Sequence, residues 1–444
     1  MGNSEPVHLG LKIMTEPKAI IIRPARNILG SLRVPGDKSI SHRYAMLAAL
    51  ASGTSRFDNF APGADCASTL ACVHALGCAV QRDENGTVTV DGLGPDLRQP
   101  IAPLDCGNSG STMRMLSGIL AAQPFPSELI GDASLSRRPM KRIIEPLIQM
   151  GARITAANGD RAPLQIQGRK LHAIDYRPAV ASAQVKTSVL FAGLLADGKT
   201  TVEEPARTRD HGELALRAFG ADVERSGNTV GIQGGQALHS LEAYIPGDMS
   251  SAAFFLCAAS LFPESNLVID GVLLNPTRSA LLDILSTMGS RISMVRVEES
   301  NGELVGTITL IPGKGRSVRI EGAITALLID ELPVLAAIAP FTAGGLEVRD
   351  AGELRVKESD RLSAVTQNLQ AMGAQVEQTE DGWRIPGGQQ LHGAEIESHD
   401  DHRIAMAFAI AALKATGDSV IHNAECIAIS YPAFFDDLEK LSER

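Results

Sequence analysis

The densest clustering of charged and hydrogen-bonding side chains falls where apolar helical stretches begin. In Gly36-Asp37-Lys38-Ser39-Ile40-Ser41-His42-Arg43, two cations and several hydroxyl and imidazole groups precede a run through Tyr44, Ala45, Met46, Leu47 and Leu50. The first N–H groups of a helix lack intrahelical partners and the macrodipole adds positive potential, so such a start attracts anions; Lys38 and Arg43 add full charges beside it. The arrangement recurs. Asn108, Ser109 and Gly110 open a second stretch that carries Arg114, with Arg138 at the head of the next helix. Ser182, Ala183 and Gln184 open a third, with Lys186 and then Arg209. Asp330 opens a fifth, followed by Lys357, Glu358 and Arg361, and Asp401-His402-Arg403 opens a sixth.

One such cation is ordinarily a solvated charge. Nine at equivalent points of repeated units, facing one cleft, would repel one another unless an anionic ligand or the interleaved carboxylates offset them. Arg suits bidentate carboxylate or phosphate recognition, and Lys is a point charge that also exchanges protons. Asp330, between Ile329 and an apolar helix, is expected to be partly desolvated and to serve also as an N-cap. Two superficial motifs fail. Asp37-Lys38-Ser39 lacks the Gly-Lys pair of a phosphate-binding loop. The side chains of His399-Asp400-Asp401-His402 fan out around a helix and cannot share one ion, so capping plus a functional Arg403 is the reading, with no metal.

The elements that position these residues are legible from repetition. AlaLeuGly (75–77), GlnMetGly (149–151), AlaPheGly (218–220), ThrMetGly (287–289) and AlaMetGly (371–373) each close an amphipathic stretch, and strands are expected to begin at Val80, Ile154, Val223, Ile292 and Val376. Gly at the residue after a helix is a stop signal. The glycines are 74, 69, 69 and 84 residues apart, a period of whole supersecondary units. Between them run stretches apolar on every face, such as 250–259 and 405–412, which must be surrounded by protein. Six units of buried helix, strand, surface helix and strands are expected, the last surface helix at 432–441. The fold class is α/β, a two-domain globule with three units per domain around central helices.

Pro35-Gly36 and Pro246-Gly247 precede the first and fourth buried helices. Crossings there divide the chain into residues 1–36 plus 248–444 and residues 37–247, with a hinge near 35–38 and 246–248 and a cleft between the halves. Residues 1–17 read as an unpatterned extension.

Composition narrows the partners. With 444 residues, 44% hydrophobic and 21% charged, the chain is large enough for two cores and has no run long enough to span a bilayer. A net charge of −10 argues against nucleic acid or a membrane surface, and with no secretory signal a cytoplasmic location is expected. Six cysteines without a CxxC pair read as buried free thiols.

ProGlyAspLysSerIleSerHisArg (35–43), GlyAsnSerGlySerThrMetArg (107–114), ArgProMet (138–140), SerAlaGlnValLys (182–186), ArgValLysGluSerAspArg (355–361) and AspHisArgIleAlaMet (401–406) occur in the order of the EPSP synthase family, which the chain resembles from about residue 20 to its end. The resemblance implies an inside-out α/β fold of six repeats. It also implies transfer of the enolpyruvyl group of phosphoenolpyruvate to the 5-hydroxyl of shikimate 3-phosphate, without a cofactor and most simply by a monomer. It places Lys38 on both substrates; Ser39, Arg43, Ser182, Ala183, Gln184, Arg209, Asp330 and Lys357 on shikimate 3-phosphate; and Gly110, Arg138, Gln184, Arg361 and Arg403 on phosphoenolpyruvate. Asp330 matches the proton acceptor, with Glu358 or Lys38 as the acid.

SerAlaGlnValLys and ThrArgAspHis (208–211) look like the family's second class, to which some glyphosate-tolerant members belong, whereas Gly110 keeps the small residue that leaves room for the inhibitor. Thr208 stands where Ser is common, Glu353 where some branches have Asn, and Ile429 where some have a Lys. The alternatives are UDP-N-acetylglucosamine enolpyruvyl transferase, whose loop cysteine has no counterpart in Gly131 to Pro139, and a non-catalytic anion-binding relative.

Overall fold

The computed structural model describes residues 19–313 and 315–444; the extension expected over residues 1–17 lies outside them. Its α-helices are α1 (Lys38–Leu50), α2 (Ala64–Ala75), α3 (Gly110–Ala121), α4 (Lys141–Gln149), α5 (Ala183–Leu194), α6 (His211–Ala218), α7 (Met249–Ser260), α8 (Ala280–Thr287), α9 (Ala323–Leu327), α10 (Leu332–Ile338), α11 (Arg361–Ala371), α12 (His402–Lys414) and α13 (Phe434–Leu441). Among these, α1, α3, α5, α7, α10 and α12 are the six expected buried helices, enclosed nearly all round. None of the helices is long and apolar enough to cross a membrane.

The five helix-closing glycines are all left-handed, with φ of +99° at Gly77, +108° at Gly151, +95° at Gly220, +109° at Gly289 and +85° at Gly373. Each follows α2, α4, α6, α8 or α11 by two residues, the position where a Cβ would be strained. The strand after α11 starts at Glu377, one residue later than expected, and Val376 packs against the core just ahead of it.

Six sheets wall the buried helices. Their common plan adds one element to the expected unit, a short strand ahead of the buried helix that lies parallel to the strand after it, as 104–105 pairs with 129–130 and 175–176 with 201–202. The unit is therefore strand, buried helix, parallel strand, surface helix, hairpin. In two units the leading strand comes from a distant part of the chain. Asn27–Leu32 pairs with the strand after α7, and Leu238–His239 with Glu242–Tyr244 pair with the strand after α1. The chain must cross twice for this to happen. The sixth unit departs from expectation because no hairpin follows α13; Ala19–Ile22 takes the antiparallel place beside Ser419–His422.

The buried side chains form two cores. One joins Ile22, Ile28 and Val34 to side chains from Met249 to Leu441, with α7, α10 and α12 touching pairwise; the other runs from Ile40 to Ile245 and also takes Leu273. The two passages between them lie side by side as a short antiparallel pair. Asp37 N donates to Pro246 O at 2.8 Å and Asp248 N to Pro35 O at 2.8 Å. Gly36 is required because its backbone also lies against Asn59, where a Cβ would sit 1.8 Å from Asn59 O. All six cysteines are buried and unpaired.

Candidate active site

The starts of five buried helices and the segments behind them converge on one polar cleft of about 400 Å³. Lys38 and Ser39 enter from α1, Gly110 from α3, Ser182 to Gln184 from α5, and Arg138 and Arg209 from the segments before α4 and α6. From the other core come Asp330, the Lys357–Glu358–Arg361 run and Arg403. Helix capping explains why these starts are stable. The side chains of Asp37, Ser109, Ser182, Asp360 and Asp401 each accept a backbone N–H of the helix they precede. A larger open depression, about 950 Å³, lies along Ser317–Arg319 and Ala374–Glu377, away from every one of these residues.

The cleft cations are held by carboxylates from within the site. Asp330 Oδ2 accepts from Arg209 Nη2 at 2.7 Å and lies 3.7 Å from Arg403 Nη2, while its Oδ1 is 3.8 Å from Arg361 Nη1. Glu358 meets Arg361 Nη2 at 2.6 Å and Arg138 Nη1 at 3.4 Å. Two of these pairs, Arg209 with Asp330 and Arg138 with Glu358, reach from one core to the other. Burial pushes the Asp330 carboxyl upward, but Arg403, Arg209, Lys357 and Arg361 outweigh it and hold the group well below the usual carboxylate range. Glu358 is likewise held low, burial being overcome by Arg361 and Arg138, with Lys38 adding to them. The Lys38 ammonium donates to Asp65 Oδ2 at 2.8 Å, and this partner more than offsets burial, so its pKa is raised.

Four sequence expectations are corrected. Asp330 caps no helix, for Glu331 stands at the cap position of α10 and the Asp330 side chain is committed to arginines. Arg43 does not line the cleft. One turn along α1 from Ser39, it donates to Ser39 O at 2.9 Å and to Thr187 Oγ1 at 3.0 Å, and burial lowers its pKa to about 10. Lys186 faces away altogether and is fully buried between Glu204 and Glu213. Ile429 does not line the cleft either; its carbonyl packs on Gly63.

Other members were missed. Asp401 fixes Arg361 through two hydrogen bonds, at 2.8 and 3.1 Å. Asp65 pairs with Lys38; Arg114, by contrast, is among the nine expected cations, and its Nη1 donates to Gln184 Oε1 at 2.8 Å. His402 lines the cleft with both ring nitrogens buried and unpartnered, and burial with Lys38 and Arg403 nearby keeps the ring neutral. Nothing at the level of sequence marks Asp65; Asp401 and His402 were visible as a cap but not as cleft residues.

An arrangement of this kind can hold two small, multiply charged anions against each other, with a carboxylate and an ammonium placed to move protons between them. The family model for EPSP synthase (3-phosphoshikimate 1-carboxyvinyltransferase) matches residues 22–438. A 3-phosphoshikimate 1-carboxyvinyltransferase of Koribacter versatilis is 62% identical, over 96% of this chain and 100% of its own. That of Solibacter usitatus is 53% identical over 95% and 99%. The solved structure of EPSP synthase from Acinetobacter baumannii superposes with a TM-score of 0.85 at 40% identity, covering 96% of this chain and 98% of that one. With the fold, the order of motifs and near full-length matches in accord, the chain belongs to the EPSP synthase family.

Proposed function

We propose that the cleft binds shikimate 3-phosphate and phosphoenolpyruvate together and transfers the enolpyruvyl group to the 5-hydroxyl of the first, releasing phosphate. The observation that carries this is the convergence of Lys38, Arg138, Arg209, Lys357, Arg361 and Arg403 on one cleft where, among the described residues, the counter-charges are a few carboxylates. Two phosphates and two carboxylates would satisfy that excess. In this reading Ser39, Ser182, Ala183, Gln184, Arg209 and Lys357 hold shikimate 3-phosphate, with Arg43 supporting Ser39 from below. Gly110, Arg138, Gln184, Arg361 and Arg403 hold phosphoenolpyruvate, and Lys38 lies between the two.

The free-state electrostatics suggest how the chemistry is switched on. Asp330 is a weak base while arginines stabilise its charge; substrate anions that engage Arg209, Arg361 and Arg403 withdraw that stabilisation and make it a stronger acceptor for the 5-hydroxyl proton. As that oxygen attacks C2, a proton must reach C3. Lys38 carries one in the free cleft, whereas Glu358 is held as a carboxylate, so Lys38 is the better placed acid. The tetrahedral adduct then loses phosphate as C3 gives its proton back. The surrounding cations stabilise the charge that develops on the leaving phosphate and hold the 3-phosphate of the acceptor in place.

Residues 1–36 with 248–444 and residues 37–247 act in this proposal as two bodies that close about a hinge at 35–38 and 246–248. The partition of buried side chains into two cores supports it. The enzyme works as a cytoplasmic monomer: the cleft is complete within one chain, and buried unpaired thiols suit a reducing compartment. Phosphate release from phosphoenolpyruvate should require shikimate 3-phosphate and should not occur with UDP-N-acetylglucosamine. Release with the UDP-sugar, or with neither acceptor, would overturn the assignment.

A further inference from the structure

Three buried charges and one partly exposed arginine lie behind the cleft, and none of their side chains bonds a residue assigned to substrate. Lys186 Nζ, fully buried on α5, is 2.9 Å from Glu204 Oε2 and 2.8 Å from Glu213 Oε1. Arg225 closes the set, with Nη1 2.8 Å from Glu213 Oε1 and Nη2 3.4 Å from Glu204 Oε2. Two cations thus meet two carboxylates, each carboxylate side chain only 1% exposed. Such a group is costly to assemble and replaceable in principle by apolar packing, so its presence asks for a reason beyond stability.

The reason lies at the free oxygen of Glu204. Oε1 accepts both the backbone N–H of Thr208, at 3.2 Å, and the Thr208 hydroxyl in a short hydrogen bond. Residues 204–210 link a strand to α6 without a helix or strand of their own, so side-chain contacts decide where this segment sits. Thr208 immediately precedes Arg209, whose guanidinium reaches across the cleft to Asp330. With both Glu204 oxygens engaged, one by Lys186 and Arg225 and the other by Thr208, the quartet ties the Arg209 segment to α5, the helix whose first turn carries Ser182 to Gln184.

We infer that Lys186 is a positioning residue for Arg209: through Glu204 and Thr208 it sets where that guanidinium meets the phosphate of shikimate 3-phosphate. The inference rests on the reaction proposed above but concerns a residue outside the cleft. If Lys186 acts through Arg209, its replacement should weaken the phosphorylated acceptor and spare the other substrate. Its effect should also vanish once Arg209 is gone.

The test is a double-mutant cycle in the full-length enzyme. Lys186→Met should raise KM for shikimate 3-phosphate by about 10-fold, the loss of roughly one charge-assisted hydrogen bond, while changing kcat and KM for phosphoenolpyruvate less than about 3-fold. In an Arg209→Ala background the same substitution should add less than about 2-fold. Equal effects on both substrates, or full additivity with Arg209→Ala, would reduce Lys186 to scaffolding. Should Lys186→Met not fold, Thr208→Val leaves the quartet intact and removes the hydroxyl bond to the segment, keeping only the longer backbone N–H bond; it should reproduce the selective KM rise and the non-additivity, and wild-type constants would overturn the inference. A ligand-free crystal structure of Thr208→Val separates this from the reaction itself. Arg209 should leave Asp330, and an unmoved guanidinium refutes the positioning role whatever the enzyme turns over.

Discussion

Arg278 is the residue through which the two chain passages are held together, and replacing it with Met gives a sharp test of the electrostatics. Its guanidinium donates to Asp37 Oδ2 at 2.8 Å, Asp248 Oδ1 at 2.9 Å and Ser250 Oγ at 2.8 Å, with its side chain 2% exposed. Asp37 caps α1 and Asp248 caps α7, while Asp248 Oδ2 also accepts from Lys38 N at 3.1 Å. Arg278→Met keeps much of the volume and removes three charge-assisted bonds. Counted singly at about 1.5–3 kcal/mol each they would sum to more than the whole effect, since Asp248 retains two N–H donors and Ser250 retains Glu331. Leaving Asp37 buried without its cation sets the scale at about 3–5 kcal/mol. Urea unfolding followed by circular dichroism should show a midpoint lower by about 1–2 M.

The pH dependence identifies the cause. In the intact protein burial raises the Asp37 pKa, but Arg278 and then His211 and the Ile40 N–H bring it below the ordinary value. A carboxyl lowered in the folded state contributes stability above the unfolded value of about 4 and loses it as pH falls further, so Asp37 makes the wild type no less stable between pH 7.5 and 5.5. Without Arg278 the burial effect dominates and the folded pKa rises above the unfolded one. The penalty is then full above the raised value and relieved as pH falls through it toward the unfolded value of about 4, by at most about 1.4 kcal/mol per pH unit. The deficit should therefore be larger at pH 7.5 than at pH 5.5. A wild-type midpoint, or a deficit equal at both pH values, would refute the reasoning.

Two further outcomes concern the cleft. Asp330→Ala should lower kcat by about 10²–10⁴, the usual contribution of a general base, while calorimetric affinity for shikimate 3-phosphate changes less than about 10-fold because Asp330 competes with the ligand for Arg209; unimpaired turnover removes it from the mechanism. Gly110→Ala places a Cβ 2.7 Å from Arg114 Nη1, so Arg114 must swing off Gln184. KM for phosphoenolpyruvate should rise by about 10- to 100-fold with kcat within about 3-fold, and an unchanged KM would show that Arg114 moves without consequence.

Local chemistry and periodicity made much of this molecule legible from its amino acids. A left-handed glycine after an amphipathic helix is a property of a few adjacent residues, so Gly77, Gly151, Gly220, Gly289 and Gly373 marked the units without any tertiary information. Helices apolar on all faces, such as α7 and α12, announced their own burial, and the capped starts beside them marked residues that line the cleft, Asp248 and Arg403 among them. What folding alone decided was pairing and direction. Two-residue strands such as 104–105 and 175–176 carry no alternation to detect, and Asn27–Leu32 finds its sheet partner more than 200 residues away. Likewise Lys186 and Arg209 are both basic residues near helix starts, yet one is sealed between two glutamates and the other faces the cleft. That difference comes from how a helix or loop is rotated against its neighbours, which is settled by long-range packing and not by residue type.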